Sequence, residues 1–234
     1  MHSMLATGPR AVNVSPSRQR PGQRLHCVTL TPLGSRRTVS AMKLKQAPLT
    51  RWRWTRVDYD RLVDTGVLHG EPVELIGGHL VVAEPQGSYH ASRIGAVGDA
   101  LRAVLPPGWL VRVQAPVALD DESEPEPDLA LVPGTWADYD AGHPARPALV
   151  IEVAESSLAF DRTDKGSLYA RGGIRDYWIV NLIETVLEVY RHPTPDATAP
   201  YGWRYQTVER LEGGSVVLPL ALPSVRLAVS DFLP

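Results

Sequence analysis

The 234-residue sequence is 44% hydrophobic and contains one cysteine, which excludes proteins stabilised by internal disulfides. No apolar run reaches the roughly 18 residues that span a bilayer, which excludes membrane-spanning helical proteins. Its net charge of −2 is unevenly distributed: residues 1–57 hold 11 of the 24 Lys and Arg, no Asp or Glu precedes Asp58, and residues 58–234 carry −13. A body this acidic excludes DNA binding by a general basic surface, so action on phosphodiesters would require metal ions or a local basic patch.

In the first 48 residues, Pro, Gly, Ser and Arg are dispersed along the chain, and the apolar residues do not form a periodic face. Three explanations compete: a disordered tail, an organellar transit peptide, or upstream sequence read from an early start, with Met42 as the alternative start. Prolines oppose the amphipathic helix of a transit peptide, so we expect a disordered basic tail or a mis-set start. A nucleic-acid-binding arm remains open because of the arginines. Without a secretory signal, and with Cys27 as the sole thiol, the chain is predicted to be cytoplasmic.

Residues 49–234 show an orderly pattern and are predicted to form one domain. "TRVDYDRLVDTG" predicts a short helix that ends at Gly66. Two apolar runs around Gly77-Gly78 predict a hairpin. "SYHASRIGAVGDALRAVLPPG" has apolar residues at helical spacing and predicts a second helix. The residues expected to face inward in the two helices are Val57, Tyr59, Leu62, Ile94, Val97, Leu101 and Val104.

The second half alternates strand-like runs with one helix. "WLVRVQ", "PVAL", "DLALV" and "ALVIEVAE" predict four strands, followed by the helix "DRTDKGSLYARGG" with Asp161 as its N-cap. "DYWIVNL" and "TVLEVYRH" predict paired strands, and further short strands follow near the C-terminus. Trp52 and Trp54 are expected to pack the first helix against the sheet, and Tyr177-Trp178 to lie beside the later helix. The order of elements predicts an α/β fold around a central mixed sheet flanked by helices.

Two carboxylates interrupt strands that should be buried. Asp128 opens "DLALV", and Glu152 lies between Ile151 and Val153 on the opposite face of its strand. Taken singly, Glu152 has the ordinary explanation of a paired structural acid, and Asp128 that of turn chemistry after Pro127. Because the two strands are neighbours along the chain, both acids can meet at one sheet edge. Carboxylates arranged in this way suit a hard divalent cation such as Mg²⁺.

Three further residues extend this candidate site. Lys165 lies on the helix that follows the Glu152 strand, where its ammonium would orient a water or neutralise a phosphate oxygen if it faces the acids. The ordinary alternative is a solvated surface lysine. Glu74 in the hairpin is either a site residue or an acid near solvent, and His90 is either a site residue or a helix-capping or surface histidine.

From Leu49 to His192 the chain resembles the PD-(D/E)XK superfamily of restriction-endonuclease-like proteins, in its bacterial Uma-type family. The ordered set of segments carries the resemblance, and no single segment would be specific. The segments are "VELIGGHLVV", "EPDLALV", "LVIEVAESS", "DRTDKGSLYARGGIRDYWIVN" and "VLEVYR".

The resemblance assigns Pro127-Asp128 to the "PD" and Glu152 to the second acid. The lysine expected two residues later is replaced by Ala154, and in this family Lys165 is its displaced equivalent. Glu74 matches the hairpin acid, and His90 matches a histidine without an assigned role. Asn181 stands where the family usually has Asp. The implied fold is a restriction-endonuclease-like core with extra C-terminal strands, and homodimers are frequent in the superfamily.

The resemblance implies hydrolysis of DNA phosphodiester bonds with Mg²⁺ or Mn²⁺. Asp128, Glu152 and the Val153 carbonyl would hold the ion, Lys165 would position the attacking water, and Glu74 would steer that water or a second ion. The alternative is a non-catalytic binding or regulatory module of the same fold, which the net charge of −13 favours. Hydrolysis of another phosphate or carboxyl substrate is a third, weaker hypothesis.

Overall fold

The computed structural model describes residues 50–83 and 86–234. The predictions for residues 1–48, including Met42 and Cys27, lie outside the described residues, and the division of the chain near residue 49 stays a prediction. The helices are α1 (Arg56–Asp64), α2 (Ser88–Val104), α3 (Leu158–Phe160) and α4 (Gly166–Arg171), with a π-helical segment Asp161–Lys165 between the last two. The strands are β1 (Val73–Ile76), β2 (His79–Val82), β3 (Trp109–Val113), β4 (Leu129–Pro133), β5 (Leu149–Ala154), β6 (Asp176–Asn181), β7 (Val186–Pro195), β8 (Trp203–Leu211), β9 (Val216–Val217) and β10 (Leu227–Ala228).

A mixed sheet with the strand order β3-β4-β5-β6-β7-β8 forms the centre of the fold. Strands β5 and β6 are parallel, and the other neighbouring pairs are antiparallel. Parallel neighbours require a long crossover connection, which the helical residues 158–171 supply. The predicted α/β fold, with a mixed sheet, flanking helices and extra C-terminal strands, is confirmed.

The alternation of side chains along β5 divides the interior into two cores. Ile151 and Val153 enter the first core, which α2 covers through Ile94, Val97 and Leu101. Val150 and Ala154 enter the second core on the other face, which the helix after β5 covers. Glu152 shares this second face, as its position in the strand predicts.

The predicted hairpin is present, and its turn needs glycine. β1 and β2 pair from Val73↔Val82 to Ile76↔His79. Gly77 and Gly78 have φ values of +54° and +78°, a left-handed pair that only glycine adopts without strain. A Cβ on Gly77 would also overlap with the Tyr201 ring. The turn therefore fixes the hairpin register, and with it the position of Glu74 in β1.

Helix α1 buries a narrower face than predicted. Tyr59 is buried and donates its hydroxyl to the Val73 carbonyl oxygen at 2.5 Å. Leu62 is half-buried, whereas Val57 is 55% exposed, because two residues at 100° each place it on the opposite side of the helix from Tyr59. The C-terminal residue of α2, Val104, is likewise exposed.

Three other sequence predictions are wrong. "PVAL" is a buried loop rather than a strand, because its backbone pairs locally: the Val117 N–H donates to the Pro125 carbonyl oxygen. Trp52 is 75% exposed and so does not pack α1, although Trp54 does pack beside Tyr59. Trp178 lies in the first core, on the opposite sheet face from Tyr177 and the helix, because adjacent strand residues alternate.

The helix after β5 begins four residues earlier than predicted. Its N-cap position is Ser157, and Asp161 lies inside the helix, where its carboxylate accepts a hydrogen bond from the Ser157 hydroxyl at 2.6 Å. The predicted end is correct: Gly172 is the C-cap of α4, and Gly173 has a φ of +76°. The π-helical segment Asp161–Lys165 was not predicted. Such segments are rare and occur often at functional sites.

The C-terminal extension, residues 193–234, adds an edge strand to the sheet and covers part of one of its faces. β8 is the edge strand beside β7. The remaining residues cross to the first core, where Val217, Leu227 and Phe232 are buried. Covering a distant face depends on the path of the chain, which local strand patterns do not encode.

Asp176 anchors this extension. It is fully buried, and its Oδ1 accepts hydrogen bonds of 2.8 Å from the Trp178 Nε1–H and the Arg191 guanidinium. Its Oδ2 accepts from the Leu220 N–H at 2.8 Å. One carboxylate therefore joins β6, β7 and the C-terminal segment.

We expect Asp176→Asn to lower the free energy of unfolding by about 2–3 kcal/mol, because the Arg191 guanidinium loses its charged acceptor. Urea unfolding followed by circular dichroism measures the change. The control is Asp231→Asn, an exposed C-terminal acid, which should shift stability by less than about 0.5 kcal/mol. Equal stability of Asp176→Asn and wild type would contradict the anchoring role.

Candidate active site

The two strand-associated acids lie side by side. Register Leu129↔Ile151 between β4 and β5 places Asp128 opposite Glu152. The Asp128 N–H donates to Glu152 Oε2 at 3.2 Å, and the Val153 N–H donates to Asp128 Oδ2 at 2.8 Å. Both side chains are buried, with 7% and 3% exposure. The structure thus brings together the pair that the sequence analysis selected.

Lys165 points at these acids and not at solvent. Its Nζ lies 3.1 Å from Glu152 Oε1 and 3.4 Å from Glu74 Oε2, and the residue is 7% exposed. It closes the π-helical segment that Asp161 opens, and both side chains face the same cleft. The ordinary alternative of a solvated lysine is therefore wrong.

Glu74 reaches the site from the hairpin. Its Oε2 accepts a hydrogen bond from the Glu126 N–H at 3.0 Å. A bridge between Leu75 and Glu124 ties β1 to the loop that leads into Asp128. Glu74 is 8% exposed, so the alternative of an acid near solvent is also wrong.

These side chains line a cleft of about 700 Å³. Among its described lining residues, acidic side chains outnumber basic ones. The acids are Glu74, Glu126, Asp128, Glu152, Glu155 and Asp161, and the basic residues are His90 and Lys165. So many carboxylates around one cavity repel each other, and a bound cation would relieve that repulsion.

Burial and charge act in opposite directions on the central pair. Burial raises the pKa of Glu152, while the Lys165 ammonium lowers it. Burial lowers the pKa of Lys165, but the carboxylates of Glu152 and Glu74 outweigh it and hold this pKa above its usual value. Lys165 is therefore a permanent cation at neutral pH and acts as a donor, not as a proton acceptor.

Tyr169 is a site residue that the sequence analysis missed. It is fully buried, and its hydroxyl donates to Glu152 Oε1 at 2.8 Å. Burial holds its pKa well above the usual value, so the hydroxyl remains a donor. The available signal was the spacing: Tyr169 is four residues after Lys165, on the same helical face. Both donors point at one carboxylate oxygen and so fix its orientation.

A second buried network holds the π-helical segment against the sheet. Arg162 donates to the Glu188 carboxylate through Nε at 3.0 Å and through a second short contact. The Asn181 amide donates to Glu188 Oε1 at 2.8 Å, and its Oδ1 accepts from the N–H groups of Ile183 and Glu184. An Asp at position 181 would have no amide to donate to Glu188. Asn181 thus joins Glu188 and the turn after β6 in one network.

His90 lies in the first turn of α2 and faces Asp128. The distance from its Nε2 to Asp128 Oδ2 is 3.5 Å. The carboxylate raises the pKa of His90, while burial lowers it. His90 is therefore part of the cleft and not a surface histidine. Gln86, which also lines the cleft, donates to Asp128 Oδ1 at 3.3 Å and completes the surroundings of that carboxylate.

The donor atoms suit a hard divalent cation in an open site. In the described part of the chain, no three His, Cys, Asp or Glu side chains already surround a single point. The arrangement corresponds to a site with one or two carboxylates, where water and substrate complete the shell. The Val153 N–H points toward Asp128. Its carbonyl therefore faces the same side of β5, because the two groups of a strand residue point the same way.

Within the described ranges, no helix combines the length and apolar character needed to cross a membrane. No curated protein matches the sequence. A solved structure, "a putative nuclease belonging to DUF820 from Anabaena variabilis", is 19% identical, with a TM-score of 0.51 over 68% of this chain and 88% of that chain. This likeness shows the fold. A model of the Uma2 family, described as "Putative restriction endonuclease", matches residues 57–230. The chain therefore belongs to the Uma2 family.

Proposed function

We propose that the protein is a metal-dependent endonuclease that hydrolyses DNA phosphodiester bonds. The observation that carries this proposal is the convergence of Asp128, Glu152 and Lys165 in one buried cleft. Family membership supports nuclease chemistry. The metal and the DNA substrate are our proposal.

Asp128, Glu152 and the Val153 carbonyl would hold Mg²⁺ or Mn²⁺. All three supply oxygen atoms, and the acidic lining of the cleft favours a cation. When bound, such an ion lowers the pKa of a coordinated water and stabilises developing charge on a phosphoryl group. The ion would also reduce the electrostatic repulsion between the acidic residues 58–234 and the phosphates of DNA.

Lys165 has the role of a positioning cation. Because its pKa is raised, it stays protonated and donates hydrogen bonds to the attacking water or to a phosphate oxygen. Tyr169 and Lys165 together orient the Glu152 carboxylate. Glu74, within 3.4 Å of Lys165, accepts a proton from the attacking water or holds a second ion. Attack in line with the 3′-oxygen leaves a 5′-phosphate, as in related nucleases.

The alternative is a binding or regulatory module that keeps the fold without cutting DNA. The acidic cleft favours this alternative, since without a cation it repels nucleic acid. The buried lysine argues against it, because a chain without catalysis gains little from an ammonium held between two buried carboxylates. A homodimer also remains a prediction from the family.

Plasmid nicking in Mg²⁺ or Mn²⁺ tests the proposal. We expect the wild type to cut, and Asp128→Ala, Glu152→Ala and Lys165→Ala to be inactive. Tight DNA binding by the wild type without cleavage would support the module instead. Cleavage that persists in all three variants would place the activity elsewhere.

We expect Tyr169→Phe to lower the cleavage rate about tenfold and the free energy of unfolding by about 1 kcal/mol, because Glu152 loses one of its donors. Single-turnover cleavage and urea unfolding measure the two effects. Tyr205→Phe is the matched control: its buried hydroxyl donates to the Ile174 carbonyl oxygen, away from the cleft. It should lose similar stability at an unchanged rate. Equal cleavage rates for the two variants would show that the Tyr169 hydroxyl has no role in cleavage.

A further inference from the structure

We infer that His90 is a nitrogen ligand of the proposed metal ion, and that the site therefore selects Mn²⁺ over Mg²⁺. The inference rests on the proposed function, because it names the ion that the same cleft takes. It assigns a role to a residue that the oxygen ligand set leaves unused.

The His90 ring nitrogen lacks a hydrogen bond. Among the described residues, Nε2 has no hydrogen-bond partner although the atom is buried. A buried polar atom without a partner costs about 1–3 kcal/mol, so a ligand that satisfies it is favoured. The nearest charged group is the Asp128 carboxylate at 3.5 Å, which is longer than an ordinary N–H···O hydrogen bond of about 2.7–3.2 Å.

The distance between the two side chains suits adjacent ligands of one ion. Ligands at about 2.1 Å from an octahedral ion lie roughly 3 Å apart when they occupy neighbouring positions. The separation of 3.5 Å between His90 Nε2 and Asp128 Oδ2 needs only a small adjustment. The Glu152 carboxylate, which already accepts from the Asp128 N–H, and the Val153 carbonyl then complete the protein side of the shell.

Helix α2 holds the imidazole in place. His90 is in the first turn of this 17-residue helix, which Ile94, Val97 and Leu101 anchor in the first core. A ligand on a packed helix keeps its position better than one on a loop. The His90–Asp128 edge of the site is thus preformed.

A nitrogen ligand changes the preference of the site. Mg²⁺ favours an all-oxygen shell, whereas Mn²⁺, although it is the weakest binder of the first-row transition metals, accepts an imidazole nitrogen more readily than Mg²⁺ does. Replacing one oxygen position by the His90 nitrogen therefore penalises Mg²⁺ relative to Mn²⁺. The cleft would bind both ions, with the transition metal bound more tightly.

The test is metal binding to the full chain, measured without nuclease activity. We expect calorimetry to show wild type binding Mn²⁺ at least about tenfold more tightly than Mg²⁺, and pulsed electron paramagnetic resonance of bound Mn²⁺ to show ¹⁴N coupling. His90→Ala should lose the coupling and at least about tenfold in Mn²⁺ affinity, with a change below about threefold for Mg²⁺. His90→Gln, which offers an amide oxygen, should bind both ions without the coupling.

His143→Ala is the control, because this partly exposed histidine lies outside the cleft lining, and it should behave as wild type. Circular dichroism confirms that each variant is folded. Coupling that persists in His90→Ala, or equal affinity losses for both ions, would overturn the role of His90 and leave the carboxylate site intact. Absence of metal binding in the wild type would overturn this inference and the proposed function together.

Discussion

Asp128→Asn is expected to reduce the rate of DNA cleavage about 10³-fold. The substitution removes one of the two carboxylates that would hold the ion, and a metal contributes several kcal/mol to stabilisation of the transition state, at about 1.4 kcal/mol per tenfold. The fold should survive, because an Asn oxygen can still accept the Val153 N–H that now donates to Asp128 Oδ2.

Single-turnover cleavage of a supercoiled plasmid measures this rate, and calorimetry with Mn²⁺ measures the loss of binding in parallel. Glu209→Gln is the control: it removes an acid from the exposed face of β8 and should cut at the wild-type rate. A fully active Asp128→Asn enzyme would exclude Asp128 from the metal site. Lost cleavage with undiminished metal binding would assign it a different role.

Lys165→Met is expected to lower the free energy of unfolding by about 3–5 kcal/mol near neutral pH. The substitution leaves Glu152 and Glu74 buried without the cation that neutralises them, and removal of one partner from a buried ion pair typically has this effect. Cleavage should be lost as well, because the positioning cation is gone. Urea unfolding at several pH values measures the stability.

The destabilisation should shrink as the pH falls. Burial already raises the pKa of Glu152, with Lys165 opposing it, and removal of the ammonium raises this pKa further. A folded-state pKa above the unfolded value of about 4.3 means that the folded protein binds the proton more tightly. Stability of the variant therefore rises as the pH falls through the folded-state pKa and is fully recovered near pH 4. The wild type, whose Glu152 is paired, should show a smaller slope.

The double variant Lys165→Met/Glu152→Gln separates charge from packing. Neutralising the unpaired acid should restore most of the stability at pH 8, since an uncharged pair in this site carries no uncompensated charge. The two changes would then be strongly non-additive. If the double variant is less stable than Lys165→Met, the hydrogen bonds that the Glu152 carboxylate accepts outweigh its unpaired charge, and the electrostatic explanation is wrong.

Local patterns in the sequence determined most of the helices and strands and four residues of the candidate site. Gly77-Gly78 specified the hairpin, because a left-handed turn has few alternatives, and the apolar spacing of Ile94, Val97 and Leu101 specified α2. Glu152 could be placed on its sheet face from strand alternation alone. Asp128, Glu152, Glu74 and Lys165 could be selected because acids in a buried strand, and a displaced lysine that matches a family pattern, are visible in one dimension.

Tertiary structure alone decided how the remaining parts meet. The burial of Tyr59 rather than Val57, the loop at "PVAL", and the crossing of residues 216–234 to the first core depend on which surfaces lie opposite, and no local pattern encodes that. The π-helical segment lies where the contact between Arg162 and Glu188 holds it against the sheet. The donation from Tyr169 to Glu152 and the approach of His90 to Asp128 join residues 17 or more positions apart, and only the packing of helices against the sheet brings them together.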